Sequence, residues 1–135
     1  MFLNSIAVLP GFLAYFATAL LLGALFLFAY TRITPNREFD LIFREHNSAA
    51  ALALGLSLLG FSLPLGSAIY HSSNIVDCVI WGLFALVAQL FAYFLAWLAH
   101  PDLGGSIRNN STAAALWVGF VSLSAGLLNA AAMTY

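Results

Sequence analysis

Four long apolar runs divide this chain, separated by two polar segments and one tight turn. The first run covers residues 5–30. Within it, Leu9 to Tyr30 makes about 33 Å of helix at 1.5 Å per residue, enough to cross a hydrocarbon core roughly 30 Å thick. Tyr15 and Tyr30 lie toward its ends and are expected to act as interfacial anchors. Phe26, Phe28 and the leucines between them leave no polar face, so that side either meets lipid or packs. A second span is capped by Asn47 or Ser48 and ends near Tyr70. Pro64 sits inside it, cannot donate to the Gly60 carbonyl, and predicts a kink. Hydroxyls such as that of Ser62 can partly re-satisfy the backbone there. His71-Ser72-Ser73-Asn74 makes the turn. A third span runs from about Asp77 to Ala99, with Trp81 near its start and Tyr93 and Trp97 near its end. The fourth runs from Ser111 to Met133, and Asn110-Ser111-Thr112 reads as a helix cap rather than a glycosylation acceptor.

The polar segments set the orientation. Thr31 to Asn47 carries Arg32, Arg37 and Arg44 with Glu38, Asp40 and Glu45. Thr34-Pro35 predicts a helix start, with Glu38 in the first turn where the helix dipole favours an anion. Phe39, Ile42 and Phe43 recur at helical spacing, so the segment is either a short amphipathic helix at the membrane surface or an ordinary solvated connector. His100-Pro101-Asp102 opens a shorter polar loop that contains Gly104-Gly105 and Arg108. All four arginines fall in these two segments, which lie on one side of a four-span chain. The positive-inside rule then places both segments in the cytoplasm and both termini outside.

Composition agrees with a membrane protein. The chain is 63% hydrophobic and 7% charged, against about 25% charged residues in soluble domains. It has no Lys and no basic cluster, which argues against nucleic acid as a partner. Cys78 is alone, so neither a disulfide framework nor an intrachain metal site is expected. No signal peptide is expected either, for want of a basic n-region and a short apolar core. Nothing calls for a cofactor.

The stretch from Arg44 to Ala68 recurs sixty-four residues later. Arg108 matches Arg44, Ala113-Ala114-Ala115-Leu116 matches Ala49-Ala50-Ala51-Leu52, Gly119 matches Gly55, and Leu123, Leu127 and Ala132 match Leu59, Leu63 and Ala68, making nine identities in twenty-five ungapped positions. The pattern predicts two tandem two-helix units, residues 1–70 and 71–135. The first unit holds spans at about 9–30 and 47–70 with the loop 31–46, and the second holds spans at about 77–99 and 111–133 with the loop 100–110. Each unit has an even number of spans, so both enter the membrane in the same sense. A pseudo-twofold axis along the membrane normal can relate them. Gly55, Ser62 and Gly66 share one face of the second span, and Gly119, Gly126 and Ala130 stand at the corresponding positions of the fourth. Helices in lipid approach closely at such small residues, so these faces are expected to pack on each other or across an oligomer axis.

No Asp, Glu, Lys, Arg or His lies well inside a span, which argues against proton relays and leaves no acid, base or metal set for catalysis there. The neutral polar residues are Gln89 near the middle of span three, Asn129 in the outer third of span four, and Ser57, Ser62, Ser122 and Ser124, with Pro64 at a depth matching Asn129. They either join helices by hydrogen bonds or line a polar path together with the Gly60 carbonyl.

Tyr30-Thr31-Arg32-Ile33-Thr34-Pro35, Glu38-Phe39, Arg44-Glu45-His46-Asn47 with Ala49-Ala50-Ala51, Gly60-Phe61-Ser62-Leu63-Pro64-Leu65 and Gly126-Leu127-Leu128-Asn129-Ala130-Ala131-Ala132-Met133-Thr134 together give the chain a family likeness. On these residues it resembles the DUF350 (UPF0719) family of small bacterial inner-membrane proteins, over nearly its whole length. The resemblance implies four spans in two tandem units and a link to membrane stress or an envelope partner. It brings no catalytic residues. In the family a Gly usually stands where this chain has His46, and again where it has Asn109 or Asn110. The expectation is therefore an all-α, four-span, non-enzymatic and homo-oligomeric scaffold or anchor subunit of the inner membrane. Its charged face (Arg32, Arg37, Arg44, Arg108) would meet a cytoplasmic protein. The alternative is a small oligomeric channel or facilitator with a neutral polar path.

Overall fold

A computed structural model describes residues 2–34 and 36–133, with side chains from Ile6 onward. Among these residues the chain is helical and has no strand: α1 (Phe2–Ile33), α2 (Glu38–Phe43), α3 (Ser48–His71), α4 (Ile75–Ala99), α5 (Leu103–Arg108) and α6 (Thr112–Ala132). Ile6–Ile33, Ser48–His71, Ile75–Ala99 and Thr112–Ala132 are each long and apolar enough to cross a membrane. Pro35 and Thr134, which carry part of the family resemblance, lie outside the described residues.

Three of these spans start on side-chain caps. The Asn47 side-chain oxygen accepts from Ala50 N–H at 3.0 Å, that of Asn74 from Asp77 N–H at 2.8 Å, and the Ser111 hydroxyl from Ala114 N–H at 3.3 Å. Each satisfies an N–H that a helix start leaves without an intrahelical partner. The expected helix start at Thr34 is corrected. Thr34 N–H instead closes the last turn of α1 on the Tyr30 carbonyl at 3.1 Å, and α2 begins only at Glu38. A six-residue α2 is amphipathic in an unusual sense. Leu41 points inward, while Phe39 and Phe43 stack outward with ring centres 6.4 Å apart. The second polar loop is likewise not a plain loop. Leu103 and Ile107, one helical turn apart and both buried, hold α5 together despite the two glycines between them.

α1 packs by its last three turns. Leu22, Phe26 and Tyr30 are buried, Phe26 stacks on Phe61 of α3 at 4.8 Å, and Tyr30 meets Tyr93 of α4 edge-on at 5.5 Å. Tyr30 is thus a core residue and not an interfacial anchor. Phe28, on the other side, is exposed.

α3 and α6 form the central pair, and they run parallel. Ser57 donates to Ser122 at 3.3 Å and Ser67 to the Ala130 carbonyl at 3.3 Å. Pro64 leaves the Gly60 carbonyl without its usual donor, and Gly126 brings its bare Cα against that oxygen. Such Cα–H···O approaches recur at helix interfaces where no side chain intervenes. Gly119 lies against Leu56 in the same seam.

On α6, Gly119 and Gly126 of the expected small-residue face lie in this seam, whereas on α3 the expected face is corrected. Gly55, Ser62 and Gly66 are exposed, and a Cβ at Gly55 or Gly66 would meet nothing within 4 Å. At about 100° per residue, Ser57 and Gly60 lie on the opposite side of the helix from them. Ala130 is half-buried at the far end of the seam. Corresponding positions of α3 and α6 thus face different surroundings, so the pair is not related by a symmetric axis through its contact. The order long helix, short helix, long helix nonetheless occurs twice.

The two polar segments lie together on one side. Asn36 donates to the Gly104 carbonyl at 2.8 Å, across a sequence separation of 68 residues. Just before α3 and α6, His46 and Asn110 adopt left-handed backbone conformations, with φ of 53° and 63°. They stand sixty-four residues apart, the offset of the sequence repeat. A left-handed conformation costs a residue with a Cβ roughly 1–2 kcal/mol. His46→Gly is accordingly expected to raise stability by about 1 kcal/mol in unfolding assays. Asn110→Gly should gain less or lose, because the Asn110 side chain also accepts from Ala49 N–H at 3.0 Å.

Candidate functional site

A string of buried polar groups runs from the Arg-bearing side into the middle of the bundle. At its inner end Gln89 of α4, 2% exposed, donates through Nε2 to the Ser122 carbonyl at 2.6 Å. Gly60 makes room for this contact, since a Cβ there would lie 2.5 Å from the Ser122 oxygen and 2.8 Å from the Gln89 nitrogen. Ser122 also receives the Ser57 hydroxyl, and Ser57 meets the Tyr30 hydroxyl. At the outer end lies Glu38, 6% exposed, its carboxylate bonded by the Thr34 hydroxyl. Tyr30, Thr34, Asn36, Glu38 and Tyr93 enclose a void of about 10 Å³, room for about one water. Glu38 Oε2 and Gln89 Oε1, at the two ends of the string, have no hydrogen-bond partner among the described residues.

A clasp of side chains onto backbone covers the outer end. Asn47 Nδ2 donates to the Ile107 and Arg108 carbonyls at 2.9 and 3.2 Å, while its oxygen caps α3. Arg108 donates to the Asn36 oxygen at 3.1 Å, and Asn36 in turn holds Gly104. α2, α5 and the starts of α3 and α6 therefore form one platform. Outside it, Arg32 lies over the Phe28 ring at 4.8 Å, Arg37 is exposed, and the exposed Arg44 sits 3.6 Å from Asp40.

The model of DUF350, a domain of unknown function, matches residues 3–133. The chain belongs to the DUF350 family. It is 41% identical over 127 residues to the UPF0719 inner membrane protein YjfL of Escherichia coli K12, covering 94% of this chain and 96% of that one. The same figures hold for YjfL of Escherichia coli O157:H7. It is 29% identical over 118 residues to the UPF0719 transmembrane protein YshE of Bacillus subtilis strain 168, covering 84% of each chain. No solved structure matches the chain.

In this DUF350 protein the polar residues singled out from sequence divide into three groups. Gln89, Ser57 and Ser122 come together in the string. Asn129 stands apart, half-buried and donating to the Ala85 carbonyl at 3.4 Å, so it ties α6 to α4. Ser62 and Ser124 face outward, and Ser62 bonds back to the Leu58 carbonyl of its own helix at 2.9 Å. Pro64 is buried in α3. Sequence reasoning missed Glu38, Tyr30, Tyr93 and Asn36 as one cluster. The available signal was a carboxylate eight residues after a Tyr at the end of a span.

Burial raises the Glu38 carboxyl above its ordinary value of 4.5, and the Thr34 hydroxyl offsets part of the rise. The folded state therefore holds the proton more tightly than the unfolded chain does. This contribution to stability is complete below the ordinary value and is lost as pH rises through the raised one. Unfolding of the wild-type family member in detergent should show declining stability as pH rises from 4.5. Glu38→Gln, which keeps the Thr34 partner but cannot ionise, should flatten that decline. An unchanged pH profile in Glu38→Gln would assign the decline to other groups.

Proposed function

We propose that this DUF350 protein is a membrane-embedded scaffold or anchor subunit that works without catalysing a reaction. Its Arg-bearing platform faces the cytoplasm and recruits a soluble partner, in keeping with the envelope-stress link the family resemblance implies. The observation that carries this reading is the clasp. Asn36, Asn47 and Arg108 fasten two segments far apart in sequence into one rigid surface, while Arg37, Arg44 and the stacked Phe39–Phe43 pair remain outside it. Aromatic and Arg side chains displayed on a fixed frame are the usual anchors of a protein interface. The duplicated long–short–long order of helices supports an origin in two tandem units.

Association of several copies is part of the proposal. A groove of about 510 Å³ between α1 and α3 has small residues along it, among them Gly23, Ala24, Ser62 and Gly66. Small-residue surfaces of this kind suit the close approach of another helix in lipid.

The test is site-specific photo-crosslinking from position 43 in native membranes. A soluble protein should be trapped there by the wild-type background and lost in Arg37→Ala/Arg44→Ala, with the amount of membrane-inserted protein unchanged. The channel reading makes the opposite prediction in pure liposomes, namely solute or ion flux that falls in Gln89→Leu. Within one copy Gln89, Ser57 and Ser122 already bond helix to helix, which favours the scaffold. Flux that depends on Gln89 would overturn it.

A further inference from the structure

Beside the platform, a groove of about 760 Å³ runs between α4 and α5. That is the size of site that holds a small-molecule ligand. One wall is α4, where Val87, Phe91, Phe94 and Trp97 are all exposed along it. From Val87 to Trp97 the helix rises about 15 Å, which is half of a roughly 30 Å hydrocarbon core, or one leaflet. The groove ends at Asp102 and Arg108, level with the polar segments. It is thus apolar for the depth of one monolayer and carries one acidic and one basic side chain where the head groups of that monolayer lie.

We propose that this groove binds one zwitterionic aminophospholipid, of the phosphoethanolamine type, from the leaflet on the Arg-bearing side. An acyl chain lies along Val87, Phe91, Phe94 and Trp97. The lipid phosphate meets Arg108, and the lipid ammonium meets Asp102. Arg108 is prepared for this, because one of its N–H groups is held by the Asn36 oxygen at 3.1 Å while the rest of its fork stays available to an anion. The pair of opposite charges selects the head group. A purely anionic lipid satisfies Arg108 but is repelled by Asp102, and a choline head group brings no N–H donor to the carboxylate. This inference goes beyond the scaffold reading and does not depend on recruitment of a partner.

The test uses Trp97 as the reporter, with Trp81 and Trp117 replaced by Phe. The protein is placed in phosphatidylcholine vesicles carrying a minor fraction of acyl-brominated phosphatidylethanolamine, phosphatidylcholine or phosphatidylglycerol. Brominated phosphatidylethanolamine should quench Trp97 several-fold more strongly than the other two at equal fraction. Arg108→Gln and Asp102→Asn should each bring that quenching down to the level of the bulk lipid. Equal quenching by all three lipids, strongest quenching by phosphatidylglycerol, or loss in only one of the two variants would overturn the proposal. Trp117 donates to the Ala96 carbonyl at 3.2 Å, so replacing it can loosen the fold. Native mass spectrometry of the chain with all its Trp residues gives an independent reading. One phosphatidylethanolamine should remain bound after detergent exchange and be absent from Arg108→Gln and Asp102→Asn. A lipid-free wild type, or equal retention by the variants, would also overturn it.

Discussion

Gly126→Ala should destabilise the fold by about 3 kcal/mol, although the same exchange in an open helix stabilises by up to about 1 kcal/mol. The sign reverses because of what the new methyl meets. A Cβ on Gly126 would overlap the Gly60 carbonyl oxygen and lie 2.7 Å from its carbon and 3.0 Å from its Cα. All three are backbone atoms, so no rotamer change can relieve the overlap. α3 must move away from α6, and the Ser57–Ser122 and Ser67–Ala130 bonds then lengthen together. Gly55→Ala is the control, since its Cβ would enter open space. Thermal unfolding in detergent, followed by Trp fluorescence, should show a large loss for Gly126→Ala and none for Gly55→Ala. Similar behaviour of the two variants would place the helix contact elsewhere.

Asn47→Ala should cost about 2–4 kcal/mol, the sum of a lost helix cap and of the lost hydrogen bonds to the Ile107 and Arg108 carbonyls. Asn47 is 6% exposed and works at both ends of its amide. The oxygen caps α3 through Ala50 N–H, and the nitrogen bridges to the Ile107 and Arg108 carbonyls of α5. Asn47→Ser separates the two roles, because a hydroxyl can restore the cap but does not reach both carbonyls. It should recover about 1 kcal/mol of the loss, the usual worth of a cap. The same unfolding assay checks the series. If Asn47→Ser matches the wild type, the bridge to α5 contributes nothing and the platform is not held by it.

The spans and their caps were legible because the signals are local. An unbroken apolar run long enough to cross a bilayer needs no partner to be recognised. Asn47 and Ser111 announce helix starts by their chemistry alone. Which side of α3 meets α6 was not legible. A helix surrounded by lipid and protein is apolar all round, so no polar stripe marks its outer side. Smallness pointed equally to Gly55 and to Gly60, and only the Pro64-freed carbonyl distinguishes the second. α5 was hidden by Gly104-Gly105, which lower helix propensity while the Leu103–Ile107 pair restores the helix through burial. Glu38 looked like a surface anion of a first turn. Its burial depends on Tyr30 and Tyr93 from two other helices, and on Asn36 held by α5, contacts that no local pattern encodes.

Cross-linking across the parallel α3–α6 seam, where Ser57 faces Ser122, is the most direct test of how the central helices meet. In a Cys78→Ala background, Ser57→Cys/Ser122→Cys should form a disulfide within one chain on mild oxidation in membranes. Gly55→Cys/Ser122→Cys should not. A cross-link from position 55 instead of 57, or only cross-links between chains, would contradict the seam and the site built on it.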